Sequence, residues 1–387
     1  METVKLGDIC EIVSGGTPSR SKPEYWKDGT IPWIKIGNIK CKYVREADEF
    51  ITEEGLKGSS AKMLPKGTLL YTIFATLGEV GILDINACTN QAIAGITIKD
   101  PKKINTDYLY YFLQSKKQFV NDLGRGVAQN NINMSILRGF ELTLPSYEDQ
   151  HKKVHIFDKV SSIISARQQE LLALDDLIKA RFVEMFGDVI QNNMQWPKYL
   201  FSDIASSRLG KMLDAKQQTG KWKYPYLANF NVQWFHFELD NLNEMDFNEA
   251  DQAEFELKDG DLLVCEGGEI GRCAVWHCEV KPCYFQKALH RVRCKDEFVL
   301  PDYLARWFQY NCNHGGFSSI EGAKATIAHL PGAKLKELQV VVPPLELQKE
   351  FVKFSAQVDK SKFAVQKALN EAQTLFDSLM QQYFGQS

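Results

Sequence analysis

The chain has 387 residues, 44% hydrophobic and 25% charged, with 46 basic and 49 acidic side chains and a formal charge of −3. At about 150 residues per domain this length predicts two or three domains. The composition excludes a disordered or collagen-like chain, and the charge excludes a whole-molecule polycation. A nucleic-acid partner stays open, because the placement of the basic residues decides it.

The opening METVKLGDICEIVSGG has no charged leader followed by an apolar run, and no stretch approaches the ~20 apolar residues of a membrane span. Nine cysteines, an odd number at irregular spacing, fit a reducing compartment. The expectation is a cytoplasmic protein without membrane contact.

In chain order, SGGTPSR (14–20) is a loop, and LLYTIFA (69–75) and AIAGITI (92–98) are strands. A short helix follows from about Thr106. RGVAQNNINMS (125–135) is a polar loop. A long helix from about Ser146 to Met185 opens with Pro145, Ser146, Glu148 and Asp149, a capping arrangement. The same succession then recurs: strands DLLVCEG (261–267) and CAVWH (273–277), a short helix from Pro301, and a second long helix.

The chain is therefore written twice. LPKGTLL (64–70) matches LKDGDLL (257–263) at an offset of 193, and DYL (107–109) matches DYL (302–304) at 195. Gln150 and Gln348, and the pairs Phe186-Gly187 and Phe384-Gly385, match at 198. Weaker matches are LGDI with FSDI, IPW with YPY, and GEVG (78–81) with GEIG (268–271). Two units of this length are whole domains, not solenoid repeats.

Each long helix has an apolar seam every three to four residues. The first reads Phe157, Val160, Ile164, Arg167, Leu171, Leu174, Ile178, Arg181, Met185. The second reads Ser355, Val358, Lys362, Val365, Leu369, Ala372, Phe376, Leu379, Tyr383. Mutual pairing is the expectation; separate packing of each helix on its own globule is the alternative. The predicted fold class is α+β: two mixed α/β globules related by an internal repeat, joined by two long helices pairing as an antiparallel coiled coil. The predicted boundaries are 1–145, 146–187, 188–343 and 344–387. A helix of about 38 residues is roughly 57 Å long, equivalent to about 17 base pairs of B-DNA.

Residues 208–223 hold Arg208, Lys211, Lys216, Lys221 and Lys223 against Asp214, whereas residues 238–261 hold ten acids against Lys258. This segregation predicts a basic face for phosphates and an acidic face turned to solvent or a partner. The alternative is two solvated loops. Arg291 and Arg293 alternate along a strand, with Lys287 and His290 nearby, and are further candidates. In the first half the candidates are Thr17, Ser19 and Arg20 in one loop, and Arg125, Gln129, Asn130 and Asn131 in another. Asn and Gln suit bidentate contacts to adenine; Arg suits guanine or phosphate. The two asparagines also suit a simple turn. The counterpart loop EGAKATIAH (321–329) offers Lys324 and Thr326. Asn90 and Gln91, matched with Phe285 and Gln286, read as internal hydrogen bonders or base readers.

No G-x-x-x-x-G-K-[ST] phosphate loop occurs, so no ATP hydrolysis is expected. Cys265, Cys273, Cys278, Cys283 and Cys294 lie close to His277 and His290, but their spacing is poor for zinc. Aligned on GEVG and GEIG, Cys273 falls opposite Leu83 and Cys283 opposite Cys88, so small core residues are expected and no metal. Trp222, Tyr224, Tyr226, Trp234, Phe235 and Phe237 suit core packing or stacking on extruded bases.

This layout resembles the specificity subunit of type I restriction–modification enzymes. The resemblance covers essentially the whole chain. It rests on VKLGDICEIVSGGTPSRSKPEYW and GTIPWIKIGNI (4–39, with KDG between), KGTLLYT (66–72), TLGEVGI (76–82), TNQAI (89–93) and LTLPSYEDQHKKV (142–154). In the second half it rests on DGDLLVCEGGEIG (259–271), FQKAL (285–289) and VVVPPLELQKEF (340–351). The most specific element is Leu-Pro-x-x-x-x-Gln opening a long helix. The resemblance implies two target-recognition domains, each with a helical spacer, reading the halves of an asymmetric bipartite site in double-stranded DNA. It implies a non-catalytic subunit that docks two DNA methyltransferase subunits. S-adenosylmethionine, ATP and Mg would belong to those partners and to the restriction/translocase subunits. The second half lacks the GGTPS loop and the Pro-Trp pair, so the two domains need not read similar DNA. The alternatives are a coiled-coil interaction scaffold that reads no DNA and a cysteine or zinc enzyme.

Overall fold

The computed structural model describes residues 2–124, 131–214, 218–318 and 329–385. The chain forms two compact units: Met1–Gln169 with Val365–Ser387, and Glu170–Ala364. Among the described residues no helix is long and apolar enough to cross a membrane.

Both units are built on one plan. In the first, Glu2–Lys5 pairs antiparallel with Glu141–Leu144; in the second, Lys198–Leu200 pairs antiparallel with Gln339–Val341. The main sheet of the first unit runs Cys10–Ser14, Ile93–Ile98, Leu69–Thr72, Val80–Leu83, with Tyr43–Val44 parallel at its edge. Its counterpart runs Ala205–Leu209, Leu289–Cys294, Leu262–Cys265, Cys273–Val275. A smaller sheet of Glu49–Ile51, Ile31–Ile34 and Cys88–Thr89 is matched by Asn243–Asp246, Lys223–Leu227 and Tyr284–Phe285. Every residue of Leu69–Thr72 and of Leu262–Cys265 is buried. Burial on both faces explains why these strands read as continuous runs with little alternation.

The strand registers refine the repeat. Leu69 stands opposite Ile82, and Leu262 opposite Val275. Gly78 and Gly271 both take positive φ, +80° and +78°, in the turns entering the next strand. The GEVG and GEIG strings are thus not equivalent; the matched glycines are the first letter of GEVG and the last letter of GEIG. Cys273 corresponds to Val80 and not to Leu83. Trp33 pairs with Cys88 and Tyr226 with Tyr284, so the counterpart of Cys88 is Tyr284 and not Cys283. Cys273 remains a small buried core residue, as expected.

The short helices Thr106–Ser115 and Pro301–Asn313 begin where predicted. The first is capped by Asn105, whose side chain accepts from the Tyr108 amide at 2.9 Å; the second has Pro301 in its first turn, where the missing N–H costs nothing. Tyr108, Leu109 and Phe112, and likewise Tyr303, Leu304 and Phe308, are buried against the main sheets.

The long helices are Tyr147–Phe186 and Leu345–Phe384. Ser146 caps the first, its hydroxyl accepting from the Asp149 amide at 3.1 Å. All eighteen seam positions are buried or half-buried. Within the first unit, Lys153 lies over the Tyr383 ring and Phe157 meets Phe376 at 5.5 Å. Within the second, Asp175 pairs with Lys362, Arg181 with Glu350, and Phe182 with Phe351. In both units numbers rise along one helix as they fall along the other, so the pairing is antiparallel. Arg181 and Lys362, two of the four polar positions in the seams, are accommodated by these ion pairs.

The duplicated Phe-Gly pairs find their reason here. Phe186 packs edge-on to Tyr303 at 4.9 Å, and Phe384 packs on Tyr108 at 5.3 Å. Each long helix ends by inserting its last phenylalanine into a globule core.

Candidate nucleic-acid interface

Three loops of the first unit are tied together by backbone hydrogen bonds. The Gly15 amide donates to Ile93 O and the Gly16 amide to Thr89 O. The Ile73 amide donates to Ala92 O, and the Ile132 amide to Ile73 O. Phe74 and Asn131 bridge the last pair of segments. Thr17, Gln91, Phe74 and Asn131 consequently lie along one rim. Thr17 Oγ1 donates to Gln91 Oε1.

The second unit repeats this rim bond for bond. The Gly210 amide donates to Leu289 O, the Lys211 amide to Phe285 O, the Glu266 amide to Ala288 O, and the Leu330 amide to Glu266 O. Gly267 bridges His329. The residues along it are Met212, Lys287, Gly267 and His329. Lys287 Nζ contacts Met212 Sδ at 3.7 Å.

Gly15 and Gly210 explain part of the scaffold. A Cβ on Gly15 would sit 2.2 Å from Asn90 O, and one on Gly210 2.4 Å from Gln286 O. Only glycine allows that approach. The second half therefore keeps the first glycine of the GG pair, although its loop looked unrelated; Lys211 replaces the other.

The GGTPSR loop is pinned by two indoles. Trp33 Nε1 donates to Gly16 O at 2.9 Å and Trp26 Nε1 to Ser19 O at 3.1 Å. The Arg20 guanidinium lies 3.6 Å over Trp26 and pairs with Glu49, which also pairs with Lys35. The Lys35 and Arg20 contacts hold the Glu49 carboxyl below its usual range. Ser19 is exposed and contacts the Ser21 hydroxyl at 2.8 Å.

Part of the segregated charge of the second unit is paired within the unit. Arg208 pairs with Glu254. Lys211, mostly buried, pairs with Asp251 at 2.5 Å and donates to Asp246 O at 2.7 Å. Arg291 donates to Glu254 O at 2.7 Å. Arg293 grips the buried Asp261 with two bonds of 2.6 and 3.0 Å. The acidic helix Glu249–Phe255 and the turn after it pack beside the basic strands, so Coulomb attraction is satisfied inside the unit. Asp246 is a hub: its carboxylate accepts from the Thr219 hydroxyl and from the Thr219, Gly220 and Trp222 amides. Burial opposes its ionisation, yet these bonds hold its pKa below the usual value.

His290 is 1% exposed, with Nε2 2.9 Å from Leu330 O. Burial pushes its pKa down. It is a core residue rather than a surface group. Lys221, Lys223 and Lys287 remain exposed. Arg125, Gln129, Asn130, Lys216, Lys324 and Thr326 lie outside the described residues. Phe74 and Met212, which sequence reasoning did not single out, lie on the two rims and are 40% and 60% exposed. An apolar residue at a loop tip carries no local signal; only the rim geometry singles it out.

In the aromatic cluster Tyr226 is buried, and the half-buried Tyr224, Trp234, Phe235 and Phe237 pack against the cores of the second unit. Phe237 meets Trp276 edge-on at 5.1 Å, Tyr224 meets Tyr284 at 5.4 Å, and Phe235 lies 3.4 Å under Arg306. Cys265, Cys273 and Cys283 are buried, and burial raises the Cys265 thiol pKa to about 11 and that of Cys283 to about 12. Among the described residues no group of three or more His, Cys, Asp or Glu is placed to hold a metal ion.

The fold is a duplicated globule with paired long helices and one matching rim of loops in each unit. The family model described as "Type I restriction modification DNA specificity domain" matches residues 1–174 and again 193–373, and the chain belongs to that family. It is 31% identical over 189 residues to the type I restriction enzyme MjaIX specificity subunit of Methanocaldococcus jannaschii, covering 48% of this chain and 43% of that protein. It is 20% identical over 417 residues to the EcoKI specificity subunit of Escherichia coli K12, covering 97% of this chain and 86% of that one. The matches to the MjaIX subunit and to the EcoR124I/EcoR124II subunit of Escherichia coli span only 43% and 42% of those relatives. The crystal structure of the type I S subunit from M. genitalium shares the fold, with a TM-score of 0.57 at 14% identity, over 99% of this chain and 96% of that one.

Proposed function

We propose that this chain is the non-catalytic DNA-reading subunit of a type I restriction–modification complex. Residues 1–145 and 188–343 are its two target-recognition domains; residues 146–187 and 344–387 are the spacers. Each domain reads one half of an asymmetric bipartite site in double-stranded DNA. The helical pair docks two methyltransferase subunits, which bring S-adenosylmethionine, and restriction/translocase subunits bring ATP and Mg chemistry. The observation that carries this reading is the rim: both units hold the same loops with the same backbone bonds, yet expose different side chains. One scaffold with two sets of exposed groups is what reading two unlike half-sites requires.

The test is co-expression of the full chain with the methyltransferase encoded beside it, followed by mapping of methylated adenines. A two-part motif with a fixed gap is the expected result. Methylation without such a motif, or a stable complex that never directs methylation, overturns the reading.

A further inference from the structure

Residues 90–92 and 286–288 form one loop present twice. The Asn90 amide donates to Ile34 O and the Gln286 amide to Leu227 O, both at 3.0 Å. Asn90 Oδ1 accepts from the Ala92 amide at 3.2 Å, and Gln286 Oε1 from the Ala288 amide at 3.1 Å. The flanking side chains are thus turned back onto their own loop, and the third residue is alanine in both. The middle residue, Gln91 or Lys287, is the exposed one. Structurally Asn90 corresponds to Gln286, and Gln91 to Lys287.

Each middle residue is steadied by the matching residue of the glycine-led loop. Thr17 Oγ1 donates to Gln91 Oε1, and Lys287 Nζ touches Met212 Sδ. Because the backbone is the same, the difference between the two positions is purely chemical. Gln91 offers an amide that donates and accepts; one carbonyl lone pair is taken by Thr17, leaving the second lone pair and both N–H groups. Lys287 offers donors alone. In the major groove, a donor–acceptor amide matches adenine N6 and N7, whereas a pure donor matches guanine O6 and N7.

The geometry points to Gln91 and Lys287 as one base-reading position present twice, set for adenine in the first unit and for guanine in the second. This rests on the DNA-reading function proposed above. The proposal excludes a uniform phosphate contact, which would carry no base preference.

The experiment uses the full chain in complex with its methyltransferase subunits and maps methylated adenines for wild type, Gln91→Lys and Lys287→Gln. Gln91→Lys should shift one position of one half-motif from A·T toward G·C. Lys287→Gln should shift one position of the other half in the opposite sense. In each case methylation of the original motif falls about tenfold or more, the discrimination of one bidentate contact. Gln91→Ala and Lys287→Ala, which add no new donor, should relax the same positions, and thermal melting of all four should match wild type. An unchanged motif, a shift in both halves, or a uniform loss at every site without altered preference overturns the assignment. A wild-type complex with no two-part motif instead overturns the function on which it rests.

Discussion

Gln150 and Gln348, one in the first turn of each long helix, make the same three hydrogen bonds. Gln150 Oε1 accepts from the Asn105 amide at 2.9 Å, and its Nε2 donates to Lys103 O and Pro145 O at 2.9 and 3.2 Å. Gln348 Oε1 accepts from the Leu300 amide at 2.9 Å, and its Nε2 donates to Phe298 O and Pro343 O at 3.0 and 2.8 Å. Both side chains are fully buried. Each glutamine ties the helix to the loop preceding the short helix, which explains the Leu-Pro-x-x-x-x-Gln spacing. Replacing either by leucine leaves one amide and two carbonyls unsatisfied, so the expected cost is about 2–4 kcal/mol for each. Denaturant unfolding checks this, and a cost below about 1 kcal/mol would mean the bonds are dispensable.

Arg293 serves stability before DNA. Removing it strands the buried Asp261 carboxylate, so Arg293→Ala should cost about 3 kcal/mol or more. Lys221→Ala and Lys223→Ala, at exposed positions, should stay within about 0.5 kcal/mol. Melting curves of the three variants make the comparison; equal effects would contradict the ion-pair assignment.

His290 gives the second unit a pH dependence. Its folded pKa is lowered by burial, so the unfolded chain binds the proton more readily. Stability from this residue is full above the ordinary histidine value of about 6.5 and declines as pH falls below it toward the folded pKa. His290→Gln keeps a donor for Leu330 O and removes the titration. The difference in unfolding midpoint between pH 7.5 and 5.5 should be smaller in that variant than in wild type. The matching position in the first unit is Ala94, so Ala94 contributes no such term.

Phe384 and Phe363 sit on the same helix and should behave oppositely. Phe384 is 4% exposed and packs on Tyr108, Phe112 and Phe157; its replacement by alanine should cost about 3–5 kcal/mol. Phe363 is 76% exposed, and its replacement should change stability by less than about 0.5 kcal/mol. Thermal unfolding of both variants tests the insertion of the helix end into the core.

Much was legible in the residues alone. The duplication, the seam from Phe157 to Met185 and from Ser355 to Tyr383, and the starts of the short helices are local patterns, and a helix writes its buried stripe at its own period whatever it packs against. The closing phenylalanines and the helix-opening glutamines were visible as repeats, though not what they touch. Tertiary structure decided the rest. Whether Arg208, Arg291 and Arg293 face DNA or Asp261 and Glu254 depends on which strand lies beside which acidic turn, residues some 30 to 50 apart in sequence. His290 became core because Leu330 returns over its strand. Gln91 and Lys287 became equivalent only when strand registers absorbed the changing offset between halves. Charge pairing, burial and register are set by non-local neighbours, and one-dimensional spacing does not carry them.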